Sequence, residues 1–190
     1  MRRRRQALGS SGAGAAIVSD SIATTGILPA PPPEPPRCSD VASLAPGFQW
    51  RLGLVLKDAD ARLAKAGAPY RFGVFETVRT NERQQWLFGS GRAYRGDWLT
   101  NAQSAEYGWH FFCLAADCVP RPLNADGSLG DWTWKVPQSV WQTLFDAATE
   151  NGCTTGLNWP RVDADHVQPS GVRTSPSALS PSCVDPTHCC

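Results

Sequence analysis

The sequence is poor in the residue types on which several common functions depend. Its 190 residues include only three histidines, so few sites can be built from imidazole groups. The seven cysteines contain no Cys-x-x-Cys pair, which argues against a zinc ribbon and against a thioredoxin-type redox site. No apolar run approaches the roughly 18 residues that a membrane-spanning helix needs, so no transmembrane segment is expected.

The chain also lacks a surplus of positive charge on the part that folds. Lysine and arginine number 18 against 17 acidic residues, but four of the arginines are Arg2–Arg5 at the extreme N-terminus. A nucleic-acid-binding domain normally carries a basic face. The charge balance therefore predicts that nucleic acid is not a partner.

Composition divides the chain into three parts. Aromatic residues occur only from Phe48 to Trp159, and they mark a folded domain at 41–170. Residues 1–40 form a basic and proline-rich arm, which is either disordered or a weak export signal. Residues 171–190 form a tail rich in Ser, Pro and Cys. Disulfides are expected only if the protein is exported, and seven cysteines leave at least one without a partner in the chain.

The pattern of the domain mixes helices and strands. Apolar residues at helical spacing predict helices over Leu52–Ala66, with Gly67 as its cap, over Asn81–Phe88 and over Pro137–Asn151. Strands are predicted over Tyr70–Val78, over His110–Val119 and, as one or two short segments, within 153–168. Because the two types do not alternate strictly, we predict an α+β fold with a small, mainly antiparallel sheet and flanking helices.

Two segments concentrate the groups that can do chemistry. His110 and Asp117 lie in the first, and Asp163 and His166 lie in the second. A catalytic zinc ion takes three protein ligands and keeps one position for water, so His110, Asp117 and His166 are a candidate ligand set. A further carboxylate, Asp163, is a candidate general base. Taken singly, each of these residues is equally compatible with a packed histidine or a turn-capping aspartate.

Four motifs in order resemble one family of enzymes. His110–Asp117 resembles the signature Ser-x-His-x-x-Gly-x-Ala-x-Asp, and Asp163–His166 resembles a later Asp-x-Pro-His element. Upstream, Arg79–Arg92 is similar to Arg-[ST]-x-x-x-Gln-x-x-Leu-[YF]-x-x-Gly-Arg, and Thr100–Ala102 is similar to Val-Thr-x-Ala. These are motifs of the zinc D-Ala-D-Ala carboxypeptidase and L-alanyl-D-glutamate endopeptidase family, which includes VanY-like enzymes and phage endolysin peptidases. The resemblance covers roughly residues 48–168.

The resemblance implies a function and a role for each matching residue. It implies a Hedgehog/D-Ala-D-Ala-peptidase-like fold and a zinc peptidase that cleaves peptidoglycan stem peptides, with a lean toward the L-alanyl-D-glutamate endopeptidase branch. D-Ala-D-Ala carboxypeptidase activity and a non-catalytic zinc- or cell-wall-binding module are the alternatives. The implied zinc ligands are His110, Asp117 and His166. Asp163 is the implied general base, Arg79 a catalytic and substrate-binding cation, and Gln84 a substrate-binding residue.

Three positions depart from the family pattern. Gly108 replaces a serine, Cys113 replaces a glycine, and Asp165 replaces the proline before His166. On a regular strand, Asp163 and His166 would point to opposite faces, so the loss of the proline bears directly on the site. The protein is expected to be monomeric. It would act in the cell envelope or outside the cell if exported, or be released from the cytoplasm as phage lysins are.

Overall fold

Three α-helices and a small antiparallel sheet make up the described part of the chain, residues 27–105 and 108–171 of a computed structural model. The helices are α1 (Pro46–Lys65), α2 (Asn81–Gly89) and α3 (Gln138–Glu150). The strands are β1 (Tyr70–Glu76), β2 (Ala116–Pro122), β3 (Cys153–Gly156) and β4 (Asp163–Pro169). They pair in the order β1-β2-β4-β3, and each pairing is antiparallel. The predicted α+β class is therefore confirmed.

The N-terminal arginines and the cysteine-rich tail are not part of this description. The predictions for Arg2–Arg5, and for the tail beyond residue 171, lie outside the described residues. Within the described ranges, none of the helices combines the length and hydropathy needed to cross a bilayer.

The first helix begins earlier than its apolar repeat predicts. Pro46 occupies the first turn, where a missing backbone N–H costs nothing, and Phe48 extends the buried stripe one turn before Leu52. Gly67 follows the helix with φ +67°, which confirms it as the C-terminal cap. The boundaries of α2 and α3 fall within one residue of prediction, and two short strands occupy the region from 153 onward.

The core lies between α1, α3 and one face of the sheet. Ala116, Cys118 and Val167 point into this core and are fully buried. Because successive residues of a strand point to opposite faces, Asp117 and His166 lie on the other face, away from α1 and α3. Polar side chains can therefore meet on that second face without entering the apolar core.

The strand predicted over His110–Val119 is wrong in its first half. Trp109–Phe112 forms a short 3-10 turn, Cys113 adopts φ +58° and ψ +25°, and β2 begins only at Ala116. An apolar run of this length fits a buried turn as well as a strand, so the pattern could not separate the two. A residue in the left-handed conformation interrupts an extended strand. Glycine suits position 113 because it adopts this conformation without a steric cost.

Strand β4 is irregular where it meets β3. Thr155 pairs with Val167 but Gly156 pairs with Asp163, so residues 164–166 bulge between two paired positions. Gly156 permits the close approach, because a Cβ there would stand 2.4 Å from the backbone oxygen of Asp163. On a regular strand, Asp163 and His166 would point to opposite faces of the sheet. The bulge removes this regular alternation between them.

The proline-rich segment before α1 makes defined contacts with the domain. The backbone oxygen of Pro32 accepts a hydrogen bond of 3.0 Å from the indole of Trp86 on α2. The guanidinium of Arg37 lies 3.8 Å from the ring centroid of Phe75 on β1. The arm at 1–40, predicted to be disordered or a weak export signal, therefore contacts α2 and β1 in its described part.

The left-handed residue before β2 gives a stability test. Cys113→Gly and Cys113→Ala both remove the buried thiol, but only alanine keeps a Cβ in the left-handed conformation. We expect the glycine variant to be more stable than the alanine variant by about 1 kcal/mol in urea unfolding. Equal unfolding midpoints would contradict the conformation described for residue 113.

Candidate metal centre

Three neighbouring strands place charged and polar side chains in one row across the sheet. Glu76 on β1 pairs with Asp117 on β2, and Asp117 pairs with His166 on β4. Residues directly opposite one another on paired strands point to the same face. The sheet register itself therefore brings Asp117 against His166, although they lie 49 positions apart in the chain.

His110 completes a buried group of three possible metal ligands. Its Nε2 lies 3.1 Å from Oδ1 of Asp117 and 3.2 Å from Nδ1 of His166. The third edge of the triangle, from His166 Nδ1 to Asp117 Oδ1, is 3.5 Å. All three residues are buried to at least an intermediate degree, and their ligand atoms converge on one point.

The triangle fits a small tetrahedral metal ion. Ligands about 2.0–2.1 Å from zinc at tetrahedral angles stand about 3.3 Å apart, close to the three observed separations. Two imidazole nitrogens and one carboxylate oxygen are ligands that zinc accepts. The group could therefore hold a metal ion, and the donor set leaves the fourth position of a tetrahedron to another ligand.

Each imidazole is oriented by a second hydrogen bond. Nδ1 of His110 donates to the backbone oxygen of Thr77 at 2.6 Å, so its Nε2 faces the centre. Nε2 of His166 donates to Oε1 of Gln168 at 2.9 Å, which leaves Nδ1 to face the centre. Such outer partners fix the tautomer and ring position of metal-binding histidines.

The charge of Asp117 dominates the electrostatics of the centre. Burial alone would raise the pKa of Asp117, but the charges of His110 and Arg79 and the hydrogen bonds from the two histidines hold it well below its usual value. Burial likewise works to lower the pKa of His166, and the hydrogen bond and charge of Asp117 outweigh it and raise that pKa. Asp117 is therefore an anion at neutral pH, as a metal ligand must be.

Arg79 contacts the centre through Asp117. Its Nη2 donates to Oδ2 of Asp117 at 2.7 Å and to Oε2 of Glu76 at 2.6 Å, and its Nη1 donates to Oε1 of Gln84 at 3.2 Å. Since Nε also donates to Glu76, one N–H of Nη1 has no partner among these contacts. That single N–H is the donor of Arg79 that remains for the predicted hydrogen bond to a substrate.

Gln84 is buried and its side-chain amide is fully engaged. Nε2 donates to Oγ1 of Thr100 at 3.2 Å and to the backbone oxygen of Ala102 at 2.6 Å, while Oε1 accepts from Arg79. These bonds tie α2 to the loop at 100–102. Gln84 therefore positions Arg79 and this loop, whereas its predicted contact with substrate stays a prediction.

A chain of alternating charges runs from the N-terminal segment to the metal centre. Oε1 of Glu34 accepts from Nη1 of Arg83 at 2.8 Å, and Nε of Arg83 donates to Glu76. Glu76 in turn binds Arg79, which binds Asp117. The side chains of Glu76 and Arg83 are almost completely buried, so each depends on the other for its counter-charge.

Asp163 lies at the mouth of the centre. It is exposed and lines a cleft of about 520 Å³ together with His110 and Asp117. It also lines a neighbouring cavity with His166. The structure thus brings the predicted base to two neighbouring cavities that the three predicted ligands line between them, and no described residue forms a hydrogen bond with its carboxylate.

Asp165, the carboxyl residue directly before His166, lies in a different environment from Asp163. Burial raises the pKa of Asp165 to about 8, with further contributions from the negative charges of Asp117 and Asp163. The indole of Trp134 donates a hydrogen bond of 2.7 Å to its Oδ2. With no metal bound, Asp165 is therefore largely protonated at neutral pH, and a protonated carboxyl cannot accept a proton from water.

Several residues of the site had no predicted role. Arg83 lies inside the quoted motif Arg79–Arg92 and Glu76 lies just before it, but the burial of both depends on long-range contacts that the motif does not show. Gln168 accepts a hydrogen bond from His166 through its side chain, and Thr77 accepts one from His110 through its backbone oxygen. The position of Gln168, two residues after His166 on a strand, was the one local signal that could have indicated it.

Comparison with known proteins adds no family assignment. No protein-family model matches the chain, and no curated protein matches it by sequence. The case for its function therefore depends on the residues and geometry of the site.

Substitution of the three ligands tests the metal centre. We expect His110→Ala, Asp117→Ala and His166→Ala to lose bound zinc after dialysis, because each removes one of three protein ligands. Gln168→Ala should keep zinc with about 10–100-fold weaker affinity, since it removes only an outer partner. Zinc content is measured by mass spectrometry of the metal, with His188→Ala as a control in the tail. Unchanged zinc in all three ligand variants would rule out this centre.

The N-terminal ion pair gives a second test. Glu34→Ala leaves the buried guanidinium of Arg83 with one carboxylate fewer, and we expect a loss of about 1–3 kcal/mol in the free energy of unfolding. Glu150→Ala is the matched control, because its arginine partner Arg62 is much more exposed, and it should change stability little. Equal effects of the two substitutions would show that the N-terminal segment does not support the site.

Proposed function

We propose that this protein is a zinc-dependent peptidase that hydrolyses peptidoglycan stem peptides, with L-alanyl-D-glutamate endopeptidase activity as the specific reaction. The observation that carries the proposal is the buried triangle of His110, Asp117 and His166, with Asp163 lining the two neighbouring cavities onto which these residues open. The motif resemblance supplies the substrate class. A Hedgehog/D-Ala-D-Ala-peptidase-like fold belongs to the same proposal, and the small antiparallel sheet with its helices is consistent with it.

In the proposed reaction, His110, Asp117 and His166 hold the zinc ion. When bound, zinc supplies Lewis acidity that polarises a peptide carbonyl and makes a water molecule acidic. Asp163 accepts the proton from the attacking water, because its carboxylate is exposed to the cleft and has no hydrogen-bond donor among the described residues. Asp163 then returns the proton to the amine that leaves.

Arg79 contributes in two ways. Its bond to Oδ2 of Asp117 holds that carboxylate so that Oδ1 faces the histidines. Its remaining Nη1 N–H can donate to a substrate oxygen on which negative charge develops. The buried carboxylate of Glu76 and the amide of Gln84 keep the guanidinium in this position.

Digestion of purified peptidoglycan tests the reaction directly. The zinc-loaded protein is incubated with the cell-wall polymer with and without EDTA, and the released fragments are identified by mass spectrometry. New N-terminal D-Glu ends that disappear with EDTA are expected for the endopeptidase. Release of terminal D-Ala would move the assignment to the carboxypeptidase. Bound zinc without any product would support a non-catalytic module and contradict the proposal.

The base assignment predicts a separation of zinc binding from turnover. Asp163→Asn should retain zinc and lose about 10²–10⁴-fold in rate, because the general base is gone while the ligands remain. Asp126→Asn, in an exposed turn, is the matched control and should hydrolyse at the wild-type rate. A fully active Asp163→Asn together with an inactive Asp165→Asn would transfer the role of base to Asp165.

A further inference from the structure

A second groove opens beside the catalytic cleft and has no role in the reaction described above. It has a volume of about 380 Å³ and runs between the loop at 98–102 and the loop at 159–163. Thr100 and Asp163 line both this groove and the cleft with the metal ligands. A peptide that reaches from the cleft into the groove therefore passes the general base.

The walls of the groove expose large apolar side chains. The exposed fractions are 53% for Trp98, 50% for Leu99, 38% for Trp159 and 63% for Val162. Single exposed apolar residues are common on protein surfaces, but four around one groove form a patch. The patch can pack against the aliphatic part of a bound chain, and it does not by itself define what binds.

Arg161 adds a fixed positive charge to this apolar groove. Its Nη1 donates to Oδ1 of Asn101 at 2.7 Å, and its Nη2 donates to the backbone oxygen of Trp98. The indole of Trp98 also donates to Oδ1 of Asn101, at 2.8 Å. Both acceptors of Arg161 are neutral, so these bonds orient the guanidinium without neutralising it.

A second guanidinium lies on the same indole. Arg92 has its Cζ 3.4 Å from the ring centroid of Trp98, and its Nη2 donates to the backbone oxygen of Thr100 at 2.8 Å. Desolvation and the positive charge of Arg161 both lower the pKa of Arg92, which shows that the two cations repel each other. Among the described residues, no carboxylate forms a salt bridge with either arginine.

A bound anion would relieve this repulsion. Arginine offers a planar set of N–H donors that matches the geometry of a carboxylate, and two of the five donors of Arg161 are engaged by the loop. The groove therefore combines an apolar surface with one oriented guanidinium, which can form an ion pair with a bound anion. A peptide carboxylate with aliphatic atoms next to it fits both properties.

We propose that this groove binds a free carboxylate of the peptide substrate next to the bond that is cut, and that Arg161 is the residue that selects for it. The inference rests on the proposed function, since it places the carboxylate relative to the cleft that holds Asp163. It predicts that an acidic residue beside the scissile bond is preferred over the same residue in its amide form.

The test uses two synthetic stem peptides that differ in one group. In the first the D-Glu residue after the scissile bond has a free α-carboxylate, and in the second this group is a carboxamide. The ratio of kcat/KM for acid over amide is measured for the zinc-loaded wild type, for Arg161→Gln and for Arg121→Gln. Arg121 is the matched control, because it also lies beside a tryptophan and donates to two backbone oxygens, but it does not line the groove.

The wild type should prefer the acid by at least about tenfold, the effect of one charge-assisted hydrogen bond. Arg161→Gln should bring this ratio close to one through a higher KM for the acid at an unchanged kcat, while Arg121→Gln should keep the wild-type ratio. A wild type that cleaves both peptides equally, or an Arg161→Gln variant that retains the preference, would overturn the inference and leave the proposed function intact.

Binding measurements separate this inference from the proposed reaction. Calorimetric titration of each peptide into the wild-type protein at low temperature, and into Asp163→Asn, reports affinity without turnover. If no peptide is cleaved, the proposed function fails, but an acid-specific affinity that Arg161→Gln abolishes still supports the groove as a carboxylate site. Absence of binding, or equal binding of acid and amide, overturns the groove assignment whether or not hydrolysis occurs.

Discussion

The buried negative charge of Asp117 is the feature around which the polar face of the sheet is organised. An anion removed from water must be compensated, and Asp117 receives a guanidinium on one oxygen and two imidazoles near the other. These partners come from β4, from the turn before β2 and from the segment after β1. The sheet register and the left-handed turn at Cys113 are therefore requirements of the site as well as of the fold.

The two faces of the sheet are covered by different kinds of contact. Helices α1 and α3 bury apolar stripes against one face, whereas the buried side chains of α2 include Arg83 and Gln84. Helix α2 is thus held by ion pairs and hydrogen bonds, which are directional and fix side-chain positions more narrowly than apolar packing. This arrangement suits a wall that must hold Arg79 against Asp117.

Asp117 and Asp165 differ in protonation because their surroundings differ. Asp117 is surrounded by cations and stays ionised, whereas Asp165 is half-buried near two other carboxylates and its pKa is raised. Different surroundings can give neighbouring carboxyl groups different pKa values. The groups can then take different roles, because one stays ionised while another keeps its proton. The raised pKa of Asp165 favours its neutral form, and the bulge beside Gly156 bends the strand between Asp163 and His166.

Local patterns in the sequence determined the helices, the α+β class and the candidate ligands His110, Asp117 and His166. Helical periodicity and glycine caps act within a few residues, so α2 and α3 and the end of α1 could be predicted closely, and the order of the motifs indicated the candidate ligands. Only the tertiary structure decided that β2 begins after a left-handed residue, that β4 bulges beside β3, and that Glu76 and Arg83 join the N-terminal segment to the centre. These features depend on pairings between distant parts of the chain. A buried charge is stabilised there by a second charge that is far away in the sequence, and no local pattern shows which residues pair.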